Sequence, residues 1–246
     1  MRYIRLPYSQ YFIDTSEDYN HTGRVGYAVK YIAANYVSGP FRRKHEVNYE
    51  IHYEPERDVI QIHFQCTNGF SDWVANIFEF SSRYYHAITF EGEPLQLRVH
   101  HGWGDMYLAI KRVIREEWMK LHSEHPDAHT EVVGWSLGSA LACLCSQDLN
   151  FNFGVKTYLY TFGSVRPFKC LPTNKARTMR YLSTVCAKCM NFADLNDVIT
   201  YLPPFRGFTM IRRVIVGADE KRTIFRLFRP LKYHTRYGDE KTYSGL

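Results

Sequence analysis

One serine sits where a strand-like run turns abruptly into a helix-like one, and that junction constrains the fold more than any other feature of the chain. Thr130 to Trp135 carries the residues of a short buried strand, and Leu137, Ala140, Leu141 and Leu144 recur at helical spacing directly after it. Between the two runs, Gly134-Trp135-Ser136-Leu137-Gly138 fits the Gly-x-Ser-x-Gly pattern of a nucleophile elbow. The glycines let the backbone close tightly around a strained serine. The following helix points its first amides at negative charge developing beside the hydroxyl, which makes the Leu137 N–H a candidate oxyanion donor.

A serine hydroxyl is a poor nucleophile without a base. Where a serine is presented in this way, an acid and then a histidine follow it along the chain. Of the eleven histidines only His234 lies after Ser136, so it is the candidate base. Its carboxylate partner must orient the imidazole and stabilise the protonated ring. Asp194 and Asp197 both fit, each following the strand-like run Cys186 to Ala193, and spacing leaves the choice open.

The remaining periodicities set this junction in an alternation of strands and helices. From Val25, the positions Ala28, Val29, Ile32 and Tyr36 predict an amphipathic helix that Gly39-Pro40 stops. Val47, Tyr49, Ile51 and Tyr53 alternate with polar residues, as do Ile60, Ile62 and Phe64 beyond the Pro55 to Asp58 turn, and together they predict a β-hairpin. Tyr107, Ile110, Val113, Ile114, Trp118 and Leu121 mark a long helix closed by Pro126. Val155 to Phe162 predicts a further apolar strand. Met210 to Val216 and Thr223 to Phe228 predict a terminal hairpin around Gly217 to Glu220, with His234 in a loop beyond it. The alternation argues for an α/β fold with a mostly parallel central sheet flanked by helices. No repeat or linker divides the 246 residues, so a single domain over 1–246 is expected.

Composition narrows the function classes. No apolar run approaches the roughly 20 residues that span a bilayer, so membrane contact would be peripheral. Met1 to Gln10 lacks the apolar centre of a secretory signal, which predicts a cytoplasmic protein. The six cysteines then read as reduced thiols. Cys186 and Cys189 fall on a predicted strand, where residues three apart face opposite sides, and no second pair completes a metal site. No metal or cofactor is expected. The net charge of +6 gathers late in the chain, at Arg206, Arg212, Arg213, Lys221, Arg222, Arg226, Arg229, Lys232 and Arg236. This reads as a solvated basic face; without a binding motif, no nucleic-acid partner is expected.

From about Val59 to Tyr237 the chain resembles the class 3 lipases, the fungal-type triacylglycerol lipases of the α/β-hydrolase superfamily. Phe64-Gln-Cys-Thr-Asn-Gly69 with Asp72-Trp73 is similar to the family's oxyanion loop, and Arg98 to Gly102 to its V-H-x-G segment. Gly134 to Ala140 resembles its G-H-S-L-G-G-A, and Tyr160 to Pro167 its T-F-G-x-P-R. Asn196-Asp197-Val-Ile-Thr-Tyr-Leu-Pro-Pro204 is similar to its N-D-x-V-P-x-L-P-P, and this resemblance selects Asp197 over Asp194. The chain departs from the pattern at Gln65-Cys66, Trp135 and Ser139, where the family has Arg-Gly, His and Gly.

The resemblance implies a serine ester hydrolase acting on lipid esters, an acylglycerol lipase or carboxylesterase, with Ser136, Asp197 and His234 as its triad. Thr67 would add a second oxyanion donor to Leu137. Trp73, Ile77 and Phe78, with Val74 and Phe80, occupy the stretch where the family carries a lid or acyl-chain wall; an amphipathic helix packed on the core would use the same residues. The implied partner is a lipid or other ester substrate, met at a membrane or lipid interface. Two alternatives are a phospholipase A-type activity at the same site and a catalytically silent lipid- or partner-binding protein.

Overall fold

The computed structural model describes residues 30–38, 43–64, 81–204, 207–216, 230–234 and 236–238. In chain order its strands are β1 (Lys30–Ser38), β2 (Arg43–Glu54), β3 (Val59–Phe64), β4 (Ser82–Phe90), β5 (Glu93–His100), β6 (His129–Trp135), β7 (Thr157–Phe162), β8 (Phe168–Lys169), β9 (Cys186–Asp194), β10 (Phe208–Thr209) and β11 (Arg213–Val216). The helices are α1 (His101–Glu124), α2 (Leu137–Phe153), α3 (Lys175–Thr184) and the short α4 (Pro230–His234).

The main sheet has seven strands in the order β1-β2-β3-β6-β7-β9-β11. From β3 to β11 every pairing is parallel, while β1 and β2 add an antiparallel edge. The α/β class predicted from the alternation is what the sheet shows. Each parallel strand feeds a crossover, so the carboxyl ends of β6, β7 and β9 emerge side by side, the position where open α/β sheets place their sites. β3 lies inside the sheet and is buried at all its positions, as its sequence Val-Ile-Gln-Ile-His-Phe allows.

Side chains alternate between the two faces. Val132 and Leu159 join the larger core with α1 and α2, whereas Val133, Tyr160, Phe162, Phe192 and Val216 form a second cluster with Tyr237 on the opposite face. The first helix buries Tyr107, Ile110, Ile114 and Trp118 of the predicted stripe and adds Trp103 and Met106 before them, while Val113 and Leu121 are half-buried. From Leu137 to Leu149 α2 is buried all round, so its polar groups need partners. Asp148 takes both forks of Arg115 at 2.7 and 2.5 Å, and Gln147 donates to the Tyr181 hydroxyl at 2.9 Å.

Three features differ from the sequence expectations. Lys30–Ser38 is an edge strand, not part of a helix: the i, i+3, i+4 spacing of apolar residues coincides with a Tyr/Ile/Val-rich run that pairs with β2 along its whole length. A second sheet, β10-β8-β5-β4, lies against the helices, with Tyr85 donating to the Leu144 carbonyl at 3.3 Å. Its β4–β5 hairpin turns on Glu91 and Gly92, both with positive φ (55° and 76°). The third difference concerns Cys186 and Cys189, which both pack against the larger core. Between β7 and β9 the register slips so that Thr157 faces Cys186 but Tyr158 faces Lys188, and the extra residue Ala187 undoes the expected opposition. The described cysteines Cys143, Cys145, Cys170, Cys186 and Cys189 are free thiols. Of the predicted terminal hairpin the first arm, Met210 to Val216, is described, and within it only Arg213–Val216 is strand, pairing in parallel with β9; the second arm, from Thr223 to Phe228, lies outside the described residues.

Candidate active site

Ser136 occupies the single residue between β6 and α2, at φ 57° and ψ −121°. For a residue with a side chain this conformation costs on the order of 1–3 kcal/mol and has to be held by its surroundings. The Ser136 N–H donates to the Phe162 carbonyl at 2.8 Å, fixing the turn to the end of β7. A Cβ at Gly134 would come within 2.5 Å of the Gly138 carbonyl oxygen, so only glycine permits this closure. Ser139, where glycine would match the family pattern, donates its hydroxyl to the Gly134 carbonyl at 2.7 Å and braces the same turn.

The three residues singled out from remote parts of the chain meet here. His234 Nε2 lies 2.6 Å from Ser136 Oγ, and His234 Nδ1 lies 2.8 Å from Asp197 Oδ2. All three are buried, Ser136 being only 2 % exposed. His234 ends the short helix α4 instead of lying in a loop. Asp197 follows β9 and its Oδ1 accepts the Ile199 N–H at 2.9 Å, capping the single helical turn Val198–Tyr201. Asp194, the other carboxylate left open by spacing, turns its Oδ1 to the Asn196 N–H at 2.7 Å and shapes the turn leading to Asp197. Leu137 is the first residue of α2, where helix amides lack intrahelical acceptors. Thr67, Trp73, Ile77, Phe78 and Cys66 lie outside the described residues.

Three further residues shape the site. The Tyr237 hydroxyl donates to Asp197 Oδ2 at 2.7 Å and accepts the Asp194 N–H at 2.8 Å. Burial and the charge of Asp197 push the Tyr237 phenol well above its ordinary range, so it stays protonated and donates. Trp135 stacks on the His234 ring, centroids 5.6 Å apart, and donates its Nε1–H to the His234 carbonyl at 3.3 Å. Gly163, at φ 62°, leaves the space that the imidazole fills: a Cβ there would stand 2.9 Å from His234 Cε1 and 2.8 Å from the Tyr237 ring.

A hydroxyl, an imidazole and a carboxylate in one hydrogen-bonded line can move a proton off the hydroxyl, the requirement for a nucleophilic serine. Residues 61–207, more than half of the chain, match the family model for Lipase (class 3). The chain belongs to the class 3 lipases. As a member of that family it is a carboxylic ester hydrolase acting on lipid esters. No curated protein matches this class 3 lipase in sequence.

Solved structures share its α/β-hydrolase fold. A triacylglyceride lipase of Rhizomucor miehei is 19% identical with a TM-score of 0.62, over 87% of this chain and 80% of that one. The native propeptide complex of the Rhizomucor miehei lipase gives 17% identity and a TM-score of 0.66, over 100% and 82%. A lipase from Rhizopus microsporus var. chinensis gives 16% and 0.60, over 82% and 70%. At such identities the likeness concerns the fold alone. Of the residues that shape the site in this class 3 lipase, Tyr237 and the role of Gly163 escaped sequence reasoning; the one available signal was the glycine of Thr161-Phe162-Gly163, directly past a predicted strand.

Proposed function

We propose that this class 3 lipase cleaves acyl esters of lipids by two-step acyl transfer on Ser136. His234 Nε2 takes the hydroxyl proton as Oγ bonds to the ester carbonyl carbon, and the oxygen that gains charge is received by the amides of Leu137 and Thr67. Collapse breaks the bond to the alcohol, which leaves with the proton from His234. Water then attacks the acyl-enzyme, giving its proton to His234, and the acid departs as the proton returns to Ser136. Asp197 holds the ring in the tautomer that presents Nε2 and stabilises the imidazolium.

The observation that carries this reading is the pair of hydrogen bonds, 2.6 and 2.8 Å, joining three side chains that are as much as 98 positions apart. Burial of Ser136 adds that a lipid chain reaches Oγ only after the site opens. A lid at Trp73, Ile77 and Phe78 would supply that motion and an apolar wall for the acyl chain. Ser136→Ala should abolish both hydrolysis of p-nitrophenyl butyrate and labelling by a fluorophosphonate, with the thermal midpoint kept. Turnover surviving this change refutes the assignment. Faster hydrolysis of long-chain emulsions than of soluble short-chain esters would assign the enzyme to lipid interfaces; the reverse order would make it a soluble esterase.

A further inference from the structure

Arg213 of the late-chain basic set is not freely solvated, and neither is Arg166. Arg213 opens β11 and Arg166 lies just beyond β7, and both are only partly exposed. Their guanidinium carbons lie 4.9 and 5.4 Å from the centroid of the same Tyr201 ring. Like charges brought together in this way repel, and partial burial removes the water that would screen them. Both are held below the ordinary arginine range, first by desolvation, and for Arg166 then by the charge of Arg213.

Among the described residues no carboxylate stands within ion-pair distance of either arginine. The charge of Asp197 reaches Arg213, but its Oδ1 serves Ile199 and its Oδ2 serves His234 and Tyr237. Arg213 spends one N–H on the Thr200 carbonyl at 2.5 Å. The Arg166 guanidinium makes no hydrogen bond to any described residue and presents a planar fork of donors beside a second cation. Stacking on tyrosine fixes the orientation of both groups without neutralising them. Two arginines oriented on one ring match the several oxygens and the charge of a phosphate group.

We propose that Arg166 and Arg213 form a phosphate-binding site on the turn Val198–Tyr201, the turn that Asp197 caps. The phosphate could belong to a phospholipid headgroup or be free in solution, and the chemistry of recognition is the same. Binding does not depend on Ser136, so it is measured in the whole chain carrying Ser136→Ala, and failure of the catalytic reading leaves the result untouched. Thermal unfolding is followed in inorganic phosphate against chloride at equal ionic strength, and co-sedimentation with vesicles of phosphatidylcholine alone or mixed with phosphatidic acid. Inorganic phosphate should raise the midpoint. Arg166→Gln should weaken phosphate affinity about tenfold, while Arg212→Gln, removing an exposed neighbour, should leave it unchanged. Loss of phosphatidic acid co-sedimentation in Arg166→Gln assigns the headgroup; a response confined to inorganic phosphate assigns the free ion. Should Arg166→Gln fail to fold, Arg166→Lys keeps the charge, loses the fork, and should still weaken phosphate binding severalfold. The site is overturned if wild-type side chains respond to neither probe, if the Arg166 variants bind phosphate normally, or if Arg212→Gln costs as much as Arg166→Gln.

Discussion

Replacing Tyr237 with phenylalanine removes one oxygen and keeps the ring. That oxygen joins two buried groups, donating to Asp197 Oδ2 at 2.7 Å and accepting from the Asp194 N–H at 2.8 Å. The bond to the carboxylate is charge-assisted and worth roughly 1.5–3 kcal/mol, and the neutral bond adds about 1 kcal/mol. With Tyr237 fully buried, water cannot replace either partner, so the expected destabilisation is about 2–4 kcal/mol. For a chain of this size that lowers the thermal midpoint by roughly 5–15 °C. Catalysis should suffer less than stability. His234 Nδ1 still meets Asp197 Oδ2 and Ile199 still holds Oδ1, so the tautomer is kept. A fall in kcat of about tenfold is expected, far short of the roughly 10⁴-fold that follows loss of the triad carboxylate's function. Calorimetry and p-nitrophenyl butyrate kinetics on the same preparation test both halves. A variant as stable as the wild type, or one as inactive as Asp197→Asn, would refute the reasoning.

Gly163→Ala introduces a Cβ 2.9 Å from His234 Cε1 at a position with φ 62°, so the imidazole must shift; kcat/KM should drop by about 10²-fold, and full activity in the purified variant would contradict this. Trp135→Phe keeps an aromatic face for His234 but loses the bond to its carbonyl and should cost about fivefold in kcat with KM unchanged, whereas Trp135→Ala loses both and should cost more; equal effects would show that stacking contributes nothing. Stability should also fall in alkali. Burial pushes the phenols of Tyr85, Tyr107 and Tyr237 well above their ordinary 10.0, and the thiols of Cys143, Cys145 and Cys189 far above 9.0, with Cys186 reaching about 11. The folded chain keeps protons that the unfolded chain gives up. This contribution is therefore complete below about pH 9 and is lost as pH rises through the ordinary thiol and phenol range. The urea midpoint should be clearly lower at pH 10.5 than at pH 8, and equal midpoints would contradict the burial of these groups.

What could be read from the chain alone was local or followed chain order. The elbow is legible because strand, serine and helix are contiguous, and His234 because it is the one histidine downstream. Asp194 and Asp197 could not be separated by spacing, since both lie where β9 turns; what distinguishes them is which one a distant imidazole and phenol reach. Edge strand β1 was obscured because its apolar residues satisfy helical and strand periods alike, and only pairing with β2 decides between them. The β4–β5 hairpin does leave a local mark, Glu91-Gly92 followed by alternating Leu95, Leu97 and Val99. The bulge at Ala187 leaves none, because it depends on the register of a neighbouring strand.

The geometry of the sheet accounts for why these particular loops carry the site. β6, β7 and β9 are consecutive neighbours, so Ser136 and Asp197 rise from strands two spacings apart, roughly 10 Å. No direct contact between them is within reach, but an imidazole laid across the gap meets both, with bonds of 2.6 and 2.8 Å. A ring in that position must pass over the end of the intervening strand, β7. The residue there is Gly163, and a Cβ on it would occupy the space of His234 Cε1. The requirement for glycine thus comes from the order of the strands and the length of a histidine bridge.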